Sequence, residues 1–309
     1  MRRRDQPDKV LSASEWTSRS HEHRERVEAL IGPYLRDRRR GIAHPVLDFL
    51  FTYYSARPSH VLRWHAGFGV VLAPIPPGVA DTDPGERRRI SRRLDEYAGL
   101  RGYRRDEAGV SVDPAYAAAR RSALQTTVEL LTATASRPVR LGCFGLHEWA
   151  MVYRTDRPRH SVPLRLGAAG TDAIVESMPL RCTHYDAFRF FTDAARPRNE
   201  RELTGAGRIS QEQPGCLHAT MDLYRVCLTL SPLLPSELTL RAFELALVAR
   251  ELDMRASPYD LRDFGYAPVA IETAAGRADY IREQSLIAEA GAALRTDIAV
   301  QCRALLDTT

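Results

Sequence analysis

The amino-acid sequence predicts a mainly α protein, a helical bundle-like single domain with a small β-sheet element near residues 61–113. Apolar residues recur at helical spacing over most of the chain, and one glycine-punctuated stretch with short β-type runs interrupts them. Neither a repeat of solenoid period nor a linker between domains is visible. With 309 residues, 44% of them hydrophobic and 27% charged, the chain can bury a substantial core without disulfides.

Ser12 and Glu15 have capping-box spacing, and Trp16, Val27, Leu30, Ile31, Tyr34 and Leu35 follow as a helical stripe that Pro33 interrupts. His44-Pro45 then opens a second helix with Val46, Leu47, Phe49, Leu50, Phe51, Tyr53 and Tyr54, an apolar density that implies a central position. Gly69-Val70-Val71-Leu72 and Gly109-Val110-Ser111-Val112 suit short strands. Between them, residues 74–97 read as a flexible, arginine-rich excursion, in which 86–96 form a charged helix with a solvated face. Helical character resumes over 115–136, and three shorter helical segments, 146–153, 183–191 and 217–230, each start at or beside a histidine. The polar stretch 195–215 is long enough to be a functional loop. Ser236 is placed to cap a helix reaching Arg255, and a last helix aligns Ile287, Ala290, Leu294, Ile298 and Leu305.

Several classes are disfavoured. No apolar run approaches the ~20 residues that span a bilayer. Met1-Arg2-Arg3-Arg4 leads into Asp5-Gln6-Pro7-Asp8-Lys9 rather than the apolar stretch of a secretory signal, which predicts a cytoplasmic protein with no membrane partner. Five cysteines in such a chain suit reduced thiols or metal ligands better than a disulfide framework. The net charge of +5 is weak grounds for nucleic-acid binding, because 39 acidic residues offset most of the 44 basic ones, of which only Lys9 is lysine, an arginine bias that a GC-rich genome would produce. Phosphate-loop, dinucleotide-binding, nucleophile-elbow and HExxH motifs are absent.

Chemistry concentrates in the histidine segments. Cys143, Cys182 and Cys216 precede His147, His184 and His218 by two to four residues, and thiolate and imidazole are preferred ligands of borderline and soft metals. His44 and Asp48, and again His218 and Asp222, stand four residues apart, one turn up the same helical face. With Glu148 and Asp186 nearby, a histidine and carboxylate site forms if these segments meet. The candidate metal ligands are therefore His44, Asp48, His147, His184, His218, Asp222, Cys143, Cys182 and Cys216. The competing reading is that these residues cap helices and satisfy one another in a polar core. Aromatics crowd the same segments, and Tyr53, Tyr54, Trp149, Phe188 and Tyr224 are candidates to stack on a nucleobase, with plain core packing as the alternative. The run from Arg250 to Arg255 suits an ion-pair network closing a helix, with anion recognition second.

Five segments together resemble a bacterial family labelled 3-methyladenine DNA glycosylase. They are His44-Pro45-Val46-Leu47-Asp48-Phe49-Leu50-Phe51-Thr52-Tyr53-Tyr54, Gly142-Cys143-Phe144-Gly145-Leu146-His147-Glu148-Trp149-Ala150-Met151, the run from Arg181 to Phe191, Gln213-Pro214-Gly215-Cys216-Leu217-His218, and the run from Glu251 to Asp260. The likeness covers nearly the whole chain. It implies a DNA-repair hydrolase that excises an alkylated purine without a cofactor, and it assigns no catalytic residue.

The leading expectation is accordingly a hydrolytic N-glycosylase that releases a modified nucleobase from DNA or from a nucleobase-containing small molecule. Asp222, Asp186 or Glu148 would activate water with His218 and His147 as further catalytic candidates. The alternative is a helical metalloenzyme of oxidase or oxygenase type, holding iron, zinc, copper or manganese and acting on a small molecule. A non-catalytic binding protein is the third reading.

Overall fold

A computed structural model describes residues 9–76, 83–158 and 162–308. Strand β1 (Lys9–Leu11) leads into α1 (Ala13–Arg39), followed by the short helices α2 (Leu47–Thr52) and α3 (Pro58–Leu62). Next come β2 (Val70–Leu72), α4 (Pro84–Ala98), β3 (Tyr103–Asp106) and β4 (Gly109–Val112), then α5 (Pro114–Ala119) and α6 (Arg121–Ala135). Short helices α7 (Leu146–Ala150), α8 (Gly167–Ser177), α9 (Tyr185–Phe188) and α10 (Arg208–Gln211) lie among loops. Three long helices follow, α11 (Leu217–Leu230), α12 (Ser236–Arg255) and α13 (Ala274–Thr308). The protein is thus mainly α with one small sheet, as expected. Among the described residues no helix is long and apolar enough to cross a membrane.

The bundle is built on α11, which packs against both α12 and α13 while α6 closes on α13. Of the 14 residues of α11, ten are buried, including His218, Thr220 and Asp222, so polar groups are carried into the core along with Met221, Leu223 and Tyr224. Buried polar groups need partners, and those of α11 organise the candidate site.

The sheet has the order β1-β2-β4-β3, with β1 parallel to β2 and the other pairs antiparallel. Strands β2 and β4 stand where the valine-rich runs predict them. Strand β1 lies outside the expected 61–113 element, because three residues opening on a lysine carry no readable alternation. The capping box of α1 is present, with Ser12 N donating to Glu15 Oε2 (2.8 Å) and Glu15 N to Ser12 Oγ (3.3 Å). Helix α1 runs through Pro33 without ending. Burial of Val27, Ile31 and Tyr34 on either side offsets the roughly 3 kcal/mol that an interior proline costs. Leu30 falls beside this stripe and is exposed.

Residues 84–97 of the expected excursion lie in α4, docked through Ile90, Leu94 and Tyr97 onto a second small core with Trp16, Trp64 and Val110. Residues 77–82 of that excursion, and the basic N-terminal residues 1–8, lie outside the described residues. Three further expectations are corrected. The histidine-led segments 146–153 and 183–191 contain helices of only five and four residues, single turns that tertiary packing rather than propagation sustains. Ser236 does not cap α12 but is its first residue, and its hydroxyl accepts from His65 N at 2.8 Å. On α13 Ala290 is exposed, and Gly291, packed on Thr220, takes the inward place.

His65 links the sheet to the bundle. Its Nδ1 lies 2.8 Å from the Tyr103 hydroxyl and its ring stacks on that of Tyr103. Burial, followed by the charge of Arg63, lowers its pKa from 6.5 to about 3. The unfolded chain therefore takes up a proton near pH 6.5 that the folded chain refuses. The stability this group contributes is complete above that pH and is lost as the pH falls toward 3, by up to about 1.4 kcal/mol per pH unit. Urea unfolding between pH 4 and 7 is expected to show this slope reduced by about one proton in His65→Asn. An unchanged slope would place the acid sensitivity elsewhere.

Candidate metal centre

The loop before α7 folds back sharply, with Phe144 at φ 49° and Gly145 at φ 70°. A side chain at Gly145 would be strained in this left-handed conformation and would press on the Ala256 methyl group at 3.1 Å. This turn brings Cys143 Sγ to 3.4 Å from His147 Nδ1. It also leaves His147 and Glu148 buried, facing α11 and α12. Trp149 Nε1 donates to Ala256 O at 2.9 Å and locks the turn to the end of α12.

Two polar clusters meet on α11. In the first, one nitrogen each of His147 and His218 and a carboxylate oxygen of Asp253 lie within 4.8 Å of one another, all buried. The His147 and His218 rings meet edge-to-face, 4.6 Å between centroids. His147 Nε2 and Asp253 Oδ1 are 2.7 Å apart and form a buried ion pair. The other Asp253 oxygen accepts from Arg250 Nη1 at 2.7 Å, and the same nitrogen donates to Glu148 Oε1 at 2.6 Å. Arg250 is buried with its guanidinium 4.0 Å from the centre of the Phe49 ring.

The electrostatics follow from this geometry. Burial alone would raise the Asp253 pKa, but His147 and Arg250 hold it well below the usual carboxylate range. For His147 burial works downward, yet Asp253 and Cys143 push its pKa well above the usual imidazole value. Burial, reinforced by the charge of His147, keeps His218 neutral, with its pKa well below the usual value.

The second cluster joins His184, Glu212 and Asp222. His184 Nε2 lies 3.2 Å from Asp222 Oδ2 and 3.6 Å from Glu212 Oε1. Arg208 binds both acids, its Nη2 donating to Asp222 Oδ2 (2.8 Å) and its Nε to Glu212 Oε1 (2.7 Å). Tyr54 donates its hydroxyl proton to Asp222 Oδ1 at 3.2 Å. Burial would raise the Asp222 pKa, but His184, Arg225 and Arg208 hold it below the ordinary range. With its carboxylates already neutralised, this cluster is an ion-pair network. The first cluster has the better donor set for a metal: two imidazoles and one carboxylate, with Cys143 behind His147 and Arg250 behind Asp253 as supporting contacts.

A pocket of about 380 Å³ opens beside the first cluster, lined by His218, Glu148 and Arg250 and walled by Phe49, Tyr53, Phe190 and Phe264. Asp186, His44 and Asp48 also line it. Asp186 is bound by Arg225 at 2.7 Å.

Of the four histidines singled out in the sequence, His147, His184 and His218 converge, with 5.3 Å between the ring centroids of His184 and His218. His44 does not join them. Its Nδ1 accepts from Val46 N and Leu47 N, while Asp48 accepts from His44 N and from the Tyr34 hydroxyl, so this pair caps α2. The spacing of His218 and Asp222 puts them in different clusters rather than on one ion. Cys143, Cys182 and Cys216 line one cavity of about 10 Å³ with His147 and His218, but no cysteine belongs to either ligand group among the described residues. Burial pushes the thiols of Cys182 and Cys216 above their ordinary values. Trp149, Phe188 and Tyr224 are buried core residues outside the pocket lining, whereas Tyr53 lines it and Tyr54 serves Asp222.

Asp253 and Glu212 have no place among the ligands expected from sequence. Asp253 was legible as a partner of Arg250 three residues away on α12, but its contact with His147 joins segments 106 positions apart in sequence. Glu212 lies in the 195–215 loop, where no periodicity marks it. No family model, curated protein or solved structure matches this chain.

Arg250→Met would leave Glu148 and Asp253 buried without their shared cation, and a loss of about 3–5 kcal/mol is expected on denaturant unfolding. Adding Glu148→Gln should recover part of that loss. Full additivity of the two substitutions would argue against a shared network.

Proposed function

We propose that this protein is a metal-dependent enzyme of oxidase or oxygenase type acting on a small, largely apolar organic molecule. The observation that carries this reading is the convergence of His147, His218 and Asp253, whose ligand atoms lie within 4.8 Å of one another beside a pocket walled by aromatic rings. Two histidines and one carboxylate with a side open to substrate form the donor set of non-haem iron(II) oxygenases, and iron there would supply activation of dioxygen.

The chain's own residues account for the rest. Cys143 fixes the orientation of the His147 ring through Nδ1, and Arg250 fixes Asp253 through its second oxygen. His218 lines the pocket and marks the side from which a substrate approaches. Phe49, Phe190 and Phe264 offer apolar walls that exclude water, and Glu148 presents a carboxylate able to orient a polar group or accept a proton.

Glu148 in an aromatic-walled pocket also favours the N-glycosylase reading, in which Phe49 and Tyr53 hold a base and Glu148 activates water. We place it second. Asp48, Glu148 and Asp186 make the pocket acidic, and Arg250, the basic residue of its lining, is already bound by two carboxylates. A DNA phosphate would find little attraction there.

Elemental analysis of protein made without an affinity tag is expected to give about one equivalent of iron, zinc, copper or manganese per chain. His218→Ala and Asp253→Ala should lose the metal while keeping the helical circular dichroism, and Glu148→Gln should retain it. Unchanged metal content in both ligand variants would overturn the assignment. Release of an alkylated base by fully chelated protein, abolished by Glu148→Gln, would establish the second reading instead.

A further inference from the structure

Helix α13 carries a buried cation that no carboxylate meets among the described residues. Arg295 is 1% exposed, as is Arg250, but whereas Arg250 binds two carboxylates, none of the three guanidinium nitrogens of Arg295 has a hydrogen-bond partner among those residues. Burying such a group uncompensated is costly, and an arginine stays charged at neutral pH. Its nearest acid by electrostatic influence, Glu212, is instead bonded to Arg208.

Arg295 lines a cavity of about 310 Å³ between α6, α11 and α13, separate in its lining from the pocket beside the metal centre. The same cavity is lined by Thr134 of α6, whose hydroxyl is also buried and unpartnered. Two unsatisfied polar groups, one of them a planar fork of donors, thus border one space. The rest of the wall includes Leu130, Leu131, Leu223 and Val226. Of the arginines in this lining, Arg208 is bonded to Glu212 and Asp222 and Arg225 to Asp186, which leaves Arg295 as the one without a bonded acid among the described residues.

We infer that the Arg295 cavity binds a small organic monoanion, a carboxylate with an apolar body. One unpaired guanidinium matches one carboxylate, its fork of donors matches the two oxygens, and the aliphatic wall matches the remainder of the molecule. The Thr134 hydroxyl is a further donor to the same group. The site shares Arg208, Glu212 and Asp222 with the His184 cluster, so its occupant adjoins the polar core of the bundle. This assignment does not rest on the metal reading.

Thermal unfolding of the full chain tests it, with sodium hexanoate, sodium benzoate, sodium phosphate and sodium chloride compared at matched ionic strength. Hexanoate or benzoate is expected to raise the Tm of the wild type by about 2 °C at roughly ten times its dissociation constant. Phosphate is expected to do no more than chloride. Arg295→Met should lose the carboxylate response and, in chloride alone, unfold at the wild-type temperature or above it, because it removes an unpaired buried charge. Thr134→Val should weaken carboxylate binding several-fold and serves as the test if Arg295→Met does not fold. The proposal fails if neither carboxylate shifts the wild type, if phosphate shifts it more than they do, or if Arg295→Met responds as the wild type does. A folded Arg295→Met that melts well below the wild type in chloride would identify a structural guanidinium and overturn it as well.

Discussion

The site depends on one buried carboxylate. Asp253 is fully buried and divides its two oxygens between Arg250 and His147. A carboxylate in that position costs several kcal/mol of desolvation unless it is met by opposite charge. The structure meets it from two directions, with Arg250 from its own helix and His147 from the turn before α7. Arg250 in turn recruits Glu148, so α7 is attached to α12 through both of its polar side chains. Helix α7 is too short to persist alone. Its place is set by these contacts and by Trp149, which hydrogen-bonds to the residue that follows α12.

Helix α11 turns this anchor into a site. His218 completes the group with His147 and Asp253, and Asp222, one turn on, is turned to His184 and Arg208. Both clusters are charge-compensated by an arginine, and they differ in their donors. Around Asp222 and Glu212 a single imidazole stands with two carboxylates that Arg208 binds. Around Asp253 two imidazoles meet one carboxylate, of which Arg250 holds one oxygen. That difference, rather than the number of ligands, separates a candidate metal centre from an ion-pair network. It also explains why the pocket matters on the His218 side, where the lining combines aromatic walls with Glu148.

The class of fold was legible because helical periodicity and two valine-rich runs survive without tertiary information. The capping box at Ser12 and Glu15 was equally local. What the sequence concealed depends on contacts between distant segments. Cysteine and histidine spacing drew attention to Cys143, Cys182 and Cys216, but the group that joins His147 and His218 is completed by a carboxylate from α12. The repeat of histidine and aspartate four residues apart put each pair on one helical face and suggested that both pairs join one site. One pair caps a helix, and the other divides between clusters, because spacing fixes a shared helical face and not a shared partner. The isolation of Arg295 had no sequence signal at all, since it depends on what does not approach α13.

Anomalous diffraction from crystals of the metal-loaded protein, measured at the edge of whichever metal the protein retains, tests the centre most directly. One strong peak is expected at about 2.0–2.2 Å from His147 Nε2, from a ring nitrogen of His218 and from Asp253 Oδ1. A peak at the His184 cluster alone, or a straight hydrogen bond from His147 Nε2 to Asp253 with no peak beside it, would rule out a metal centre at these three residues.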